Sequence, residues 1–277
     1  MAEMQWYAAT DSGRFDGTAA ITPRSGAVCL RAELPAGVRL ATAKRGGVTV
    51  TRMEIAREGL ARPRGRYVTL EMPSVSVLDE RDTDVIETGA AELRALLPPE
   101  GPVLVLGIGN RRVTADALGP RTAQKILVTM GPQHTLPVRG IRPVAALAPG
   151  VSGDTGLTLR QLAAAMVDAV RPAALICVDS LCSAEAARLG RTIQFSDTGL
   201  HPADARHARH LDAAALGVPV IAAGIPTLMD ADEGADLVLT PRALDSVIAH
   251  GSALLAGILN RALQPRLSVA QLCWLTG

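Results

Sequence analysis

The sequence predicts an α/β protein: a mostly parallel sheet flanked by helices on both faces, with an N-terminal β-rich extension. Three observations predict it. Short continuous apolar runs such as Val103-Leu104-Val105-Leu106 recur beyond the first hundred residues, as in strands buried on both faces. Segments with helical spacing of apolar residues separate those runs. The first hundred residues instead carry alternating stretches broken by Gly and Pro, which are strand and turn signals. Strands that alternate with helices build parallel sheets through crossover connections.

The elements follow in chain order. The first sixteen residues have neither a basic stretch nor an apolar one, so no signal peptide is read there. Strands are expected over 26–30, 47–51 and 66–70. A helix is expected over 79–97, where Val85, Ala90, Leu93 and Leu97 share a face and Pro98-Pro99 ends it. The α/β part then runs as strand 103–108, helix 116–128, strand 144–148, helix 159–170, and strands 174–178, 192–195 and 218–222. A long helix over 241–263 closes it. The expected organisation is a propeptide over 1–11, the β-rich extension over 12–100, a core over 101–265 and a tail over 266–277.

Composition narrows the function classes. The chain has 277 residues, 48% hydrophobic and 20% charged, which suits a packed core and argues against disorder. A net charge of +1 gives no electrostatic reason for a nucleic-acid or membrane partner. Two Trp, two Tyr and two Phe are too few for base-stacking platforms. Cys29, Cys177, Cys182 and Cys273 form no C-x-x-C pair, which excludes a zinc ribbon and favours a reduced, intracellular protein.

Ligand sites in open α/β sheets lie beyond the carboxyl ends of the strands. Polar residues just after the apolar runs are therefore the candidates: Asn110 to Asp116, Asp179-Ser180, Asp197 to His201, and Thr227 to Asp230. Gly107-x-Gly109 opens like a dinucleotide fingerprint, but Arg112 stands where the third glycine belongs. No P-loop is present, and Gly150-Val151-Ser152-Gly153-Asp154 lacks the last glycine of a nucleophile elbow. Asp179 follows five apolar residues, and burial raises a carboxyl pKa; a second carboxylate nearby raises it further. Asp116 is the natural partner if the strands beginning at Val103 and Ala174 are neighbours. Such a pair can share a proton and activate a water. Each also has a plainer reading, Asp116 as a helix cap and Asp179 as a turn residue. His201 is a candidate third ligand if Asp116 and Asp179 hold a divalent metal. His207 and His210, among arginines, read as a solvated face. Cys182 lacks an evident histidine to form its thiolate.

Several blocks resemble the germination proteases of spore-forming bacteria. They are Gly107-Ile108-Gly109-Asn110 with Val113-Thr114-Ala115-Asp116-Ala117-Leu118-Gly119-Pro120, then Ala148-Pro149-Gly150-Val151, Val178-Asp179-Ser180-Leu181, Ile193 to Pro202, and Gly217 to Thr227. Gly65 to Glu71 also matches. The resemblance implies an endopeptidase, classed as an atypical aspartic protease, that degrades small acid-soluble spore proteins in the cytoplasm of the spore core during germination. It implies no metal or other cofactor, catalytic roles for Asp116 and Asp179, secondary roles for Asp197 and His201, and a homo-oligomer, as a tetramer. The fold is similar to that of the hydrogenase-maturation peptidases. The family is made as a zymogen, and Tyr7-Ala8-Ala9-Thr10-Asp11 resembles its cleavage segment, which implies a self-cut between Asp11 and Ser12. Two departures stand out: the stretch 203–210 has no glycine where the family is Gly-rich, and Ala115 replaces a proline. The alternatives are a metal-dependent peptidase of the hydrogenase-maturation type and a non-catalytic relative acting as a binding protein.

Overall fold

The structure, a computed structural model, describes residues 6–7, 34–60, 62–131, 140–201, 210–230 and 237–276. The strand expected over 26–30, Cys29, His207 and the Asp11–Ser12 bond lie outside them. The strands are β1 Trp6–Tyr7, β2 Val38–Arg45, β3 Val48–Ile55, β4 Gly65–Glu71, β5 Val103–Gly107, β6 Val144–Leu147, β7 Ala174–Cys182, β8 Thr192–Ser196, β9 Val220–Asp230 and β10 Val238–Leu239. The helices are α1 Thr83–Leu96, α2 Leu118–Ala123, α3 Ser152–Thr155, α4 Leu159–Val170, α5 Ala213–Leu216, α6 Leu244–Leu263 and α7 Val269–Thr276.

One continuous sheet runs in the order β2-β3-β4-β8-β9-β7-β5-β6. Its half β9-β7-β5-β6 is parallel, as the apolar runs predict. The other half is antiparallel throughout. The N-terminal hairpins thus extend the sheet edgewise through β4 and β8. Strand β8, expected within the parallel set, runs against β9, because a short connection carries the chain from β7 into it. Helices α1, α2 and α6 bury one face with Ile86, Leu93, Leu118, Leu255 and Leu259. Helix α4 covers the other with Ala163 and Val167, against Leu104, Leu175 and Cys177. Glu92 of α1 is buried but takes both ends of the Arg52 guanidinium from β3, so its charge is paired as a buried carboxylate requires.

Two local signals explain helices well. Thr158 and Gln161 form a reciprocal capping box at the start of α4, which begins and ends where the periodicity places it. Ser268 and Gln271 exchange the same pair of bonds ahead of α7, in a segment expected to be a tail. One helix is much shorter than expected. The chain passes Asp116 in a 3₁₀ turn, Thr114–Asp116, and α2 stops at Ala123. The reason is tertiary: buried Asn260 of α6 donates to the Lys125 carbonyl and accepts from the Leu127 amide, taking backbone groups that a continuing helix would need. Strand β2 was not expected because it is mostly exposed and shows no apolar alternation.

Helix α2 lies against the ends of β5 and β7 through glycines. A methyl group on Gly119 would sit 2.2 Å from the Ile108 carbonyl and 2.3 Å from that of Val178; one on Gly107 would sit 2.2 Å from the Gly119 carbonyl. Only glycine permits so close a backbone approach. Gly119→Ala is expected to lower the unfolding free energy by about 1–3 kcal/mol. Gly153→Ala, where an added methyl meets nothing within 4 Å, is expected to change it by less than about 0.5 kcal/mol. Urea unfolding of both variants checks this.

Candidate active site

The loop after β5 delivers Asp116. Gly109 has φ +122°, and a side chain there would collide with the Asp116 backbone and carboxylate. Asn110 makes an Asx-type turn by accepting from the Arg112 amide at 2.9 Å. Its own amide donates to Asp116 Oδ2 at 2.7 Å. Asp116 therefore does not cap α2, which has no side-chain cap; its carboxylate is held by the preceding loop. From the far side, Thr227 of β9, fully buried, donates its hydroxyl to the Ala115 carbonyl at 2.9 Å.

Asp179 sits within β7 rather than after it. The strand continues to Cys182 because β9 keeps pairing with it, Asp179 opposite Gly224 and Ser180 opposite Ile225. A methyl on Gly224 would lie 2.4 Å from the Asp179 carbonyl. Asp179 is 1% exposed, and the one hydrogen bond its carboxylate accepts among the described residues is from the Ser180 amide at 2.8 Å. Burial pushes its pKa well above the carboxylate range, and the Asp116 charge pushes it further. Burial also raises Asp116, to about 6, against the opposing pull of the Asn110 amide. The two acids thus feel one another, as the neighbouring strands β5 and β7 predict. The next hydroxyl, Ser180 Oγ, is buried with no hydrogen-bond partner. Thr227 and Ser180 went unassigned in the sequence, although both stand at the ends of apolar runs.

Asp197 and His201 are elsewhere. Gln194 lies opposite Gly224, level with Asp179, whereas Ser196 lies opposite Ala222. Because β8 is antiparallel, its end is displaced from Asp179 by two residues, roughly 7 Å of strand, toward where β7 and β9 begin. Asp197 receives the Arg66 Nε and the Arg66 amide, both at 2.7 Å, and so ties the end of β8 to β4. His201 points Nε2 at the Thr198 carbonyl, 2.6 Å away. Among the described residues, the ligand atoms of His201 gather with those of His210 and Asp212, not with those of Asp116 and Asp179. Asp230 ends β9 six residues beyond Gly224, the residue level with Asp179, so the four strand-end aspartates do not converge on one rim.

Finally, β1 lies parallel to the end of β7, Trp6 opposite Leu181 and Tyr7 opposite Cys182. Strand β5 stops opposite Val178, so the N-terminal segment occupies the β7 edge immediately beyond Asp179.

The profile of the family described as "Germination protease" matches residues 31–233. The germination protease of Clostridium perfringens strain SM101 is 32% identical over 79% of this chain and 86% of its own length. That of Bacillus velezensis is 37% identical over 74% of this chain and 58% of its own, and that of Caldanaerobacter subterraneus 39% over 72% and 65%. A [NiFe] hydrogenase maturation protease, HycI from Thermococcus kodakarensis, covers 61% of this chain and 98% of its own with TM-score 0.39 at 16% identity. With a family match across most of its length and relatives above 30% identity, this chain belongs to the germination protease family of peptidases.

Proposed function

We propose that this chain is a self-activating endopeptidase that hydrolyses small acid-soluble spore proteins in the spore core, using Asp116 and Asp179 to activate water. The observation that carries the reading is the acid pair: a buried Asp179 whose proton is held by burial and by a second carboxylate, with Asp116 fixed by the Asn110 amide. The environments separate the two pKa values, which assigns roles. Asp116, the lower, is the base. It takes a proton from water as the water oxygen bonds to the scissile carbonyl carbon. Asp179, the higher, gives its proton to the carbonyl oxygen. Collapse of the tetrahedral species breaks the C–N bond, the leaving nitrogen takes the proton from Asp116, and Asp179 recovers its own.

The pairing of Trp6–Tyr7 with the end of β7 supports self-processing, since it holds part of the N-terminal segment on the strand that bears Asp179. In the mature protein the N-terminus is expected to be Ser12. N-terminal sequencing after incubation at mildly acidic pH checks this, and an intact Met1 argues against it.

Asp116→Asn and Asp179→Asn are each expected to fold and to lose at least about 100-fold in the rate of cutting a purified small acid-soluble spore protein, the scale of general acid–base catalysis. Full activity in either variant removes that residue from the mechanism. For the wild type, kcat/KM is expected to rise with pH through an apparent value near 6 as the pair loses its first proton.

The same groups link stability to pH. Their native pKa values lie above the unfolded ones, so the native state binds more protons in that window. The contribution of Asp116 is fully favourable below pH 4 or so and is lost as pH rises through about 6, a cost of up to about 3 kcal/mol. Asp116→Asn is therefore expected to unfold at a higher temperature than wild type at pH 7, with the gap closing at about pH 4. Calorimetry at the two pH values reads it.

A further inference from the structure

Where the chain leaves β8 and returns before α5, three metal-ligating side chains converge. A ring nitrogen of His201, a ring nitrogen of His210 and a carboxylate oxygen of Asp212 lie within 4.8 Å of one another, each side chain partly buried. The two imidazoles meet edge to face with ring centroids 4.7 Å apart. The backbone already brings these segments together: Leu200 and Leu211 exchange both main-chain hydrogen bonds, at 2.9 and 3.0 Å, and both leucines are buried. Gly199 is obligatory in this bridge, with φ +80° and no room for a side chain against the Leu211 carbonyl.

We propose that His201, His210 and Asp212 bind a divalent transition metal, zinc by preference, in a structural site that clasps the β8–α5 connection. Imidazole with carboxylate is a donor set suited to zinc. Four-coordinate zinc holds its ligand atoms roughly 3.4 Å apart at bond lengths of about 2.0–2.1 Å, so small side-chain rotations close the cluster. The bonds of His201 and Asp212 each leave a ligand atom for the ion. His201 Nε2 faces the Thr198 carbonyl at 2.6 Å, so it carries the hydrogen and donates, and Nδ1 keeps its lone pair. This is the carbonyl-oriented imidazole that metal ligands commonly show. Asp212 Oδ1 accepts from the Ala215 amide at 2.8 Å as the cap of α5, which fixes the carboxylate and leaves Oδ2 for the ion. Water takes the fourth position. The site shares no residue with the Asp116–Asp179 pair, so it stands or falls separately from the proposed peptidase mechanism.

The test uses the full chain stripped of metal with a chelator and titrated with zinc or cobalt(II). One equivalent of zinc is expected to bind and raise the thermal midpoint, and cobalt(II) to give the visible absorption of a tetrahedral site. His210→Gln and His201→Gln are each expected to weaken binding by at least about 100-fold, past what loss of an outer partner costs, and Asp212→Asn, which can keep the helix cap, to do the same. The metal-free variants are expected to match metal-free wild type in circular dichroism and thermal midpoint, so weakened binding is not lost folding. Asp116→Asn is expected to bind zinc as wild type does. No binding by wild type, binding unchanged in the three clasp variants, or binding lost in Asp116→Asn overturns the proposal.

Discussion

The arrangement depends on how closely the backbone of α2 approaches the ends of β5 and β7. Gly107, Gly109 and Gly119 set that distance, since a methyl at any of them meets main-chain oxygen at 2.1–2.2 Å. A larger residue would lift the turn carrying Asp116 away from the sheet and so from Asp179. The glycines therefore act on the chemistry indirectly, by fixing where a carboxylate stands. The same contact lets Ile108 donate its amide to the Val178 carbonyl at 2.8 Å, stitching the loop to the strand that bears the second acid.

Around that contact the fold supplies rigidity and dryness. Strand β7 is buried along all nine of its residues, which is why a carboxyl group in its middle is pushed well above the usual carboxylate pKa range. Thr227 braces the Asp116 turn from β9, and Asn260 ends α2 so that the chain can turn toward β6. Burying polar groups without partners is costly. Among the described residues Ser180 Oγ is buried without a partner and the Asp179 carboxylate accepts one bond, and such imbalances concentrate where a protein does chemistry.

Much of this was legible in the residues. Continuous apolar runs identified β5, β6 and β7, because a strand covered on both faces needs apolar side chains on both. Asp116 and Asp179 stood out because each follows such a run, and neighbouring parallel strands end on the same side. What was not legible was strand direction. Periodicity is the same whichever way a strand runs, so Asp197 looked like a rim residue when the reversal of β8 draws it back from the level of Asp179. The extent of α2 was equally hidden, since a single asparagine far along the chain ends it. Strand β2 hid for a different reason: with both faces largely wet, it has no apolar pattern to display. The capping box before α7, in contrast, was written plainly as Ser268-x-x-Gln271 and went unused.

Because β7 outruns β5, its last residues have a bare flank that only Trp6–Tyr7 fills among the described residues. Any chain shortened past Tyr7 exchanges that parallel pairing for main-chain amides and carbonyls facing solvent, close along β7 to Asp179. Such a flank accepts any extended backbone regardless of its side chains. Losing the first residues thus changes the molecule by more than its length: it exposes a hem onto which another polypeptide can be laid.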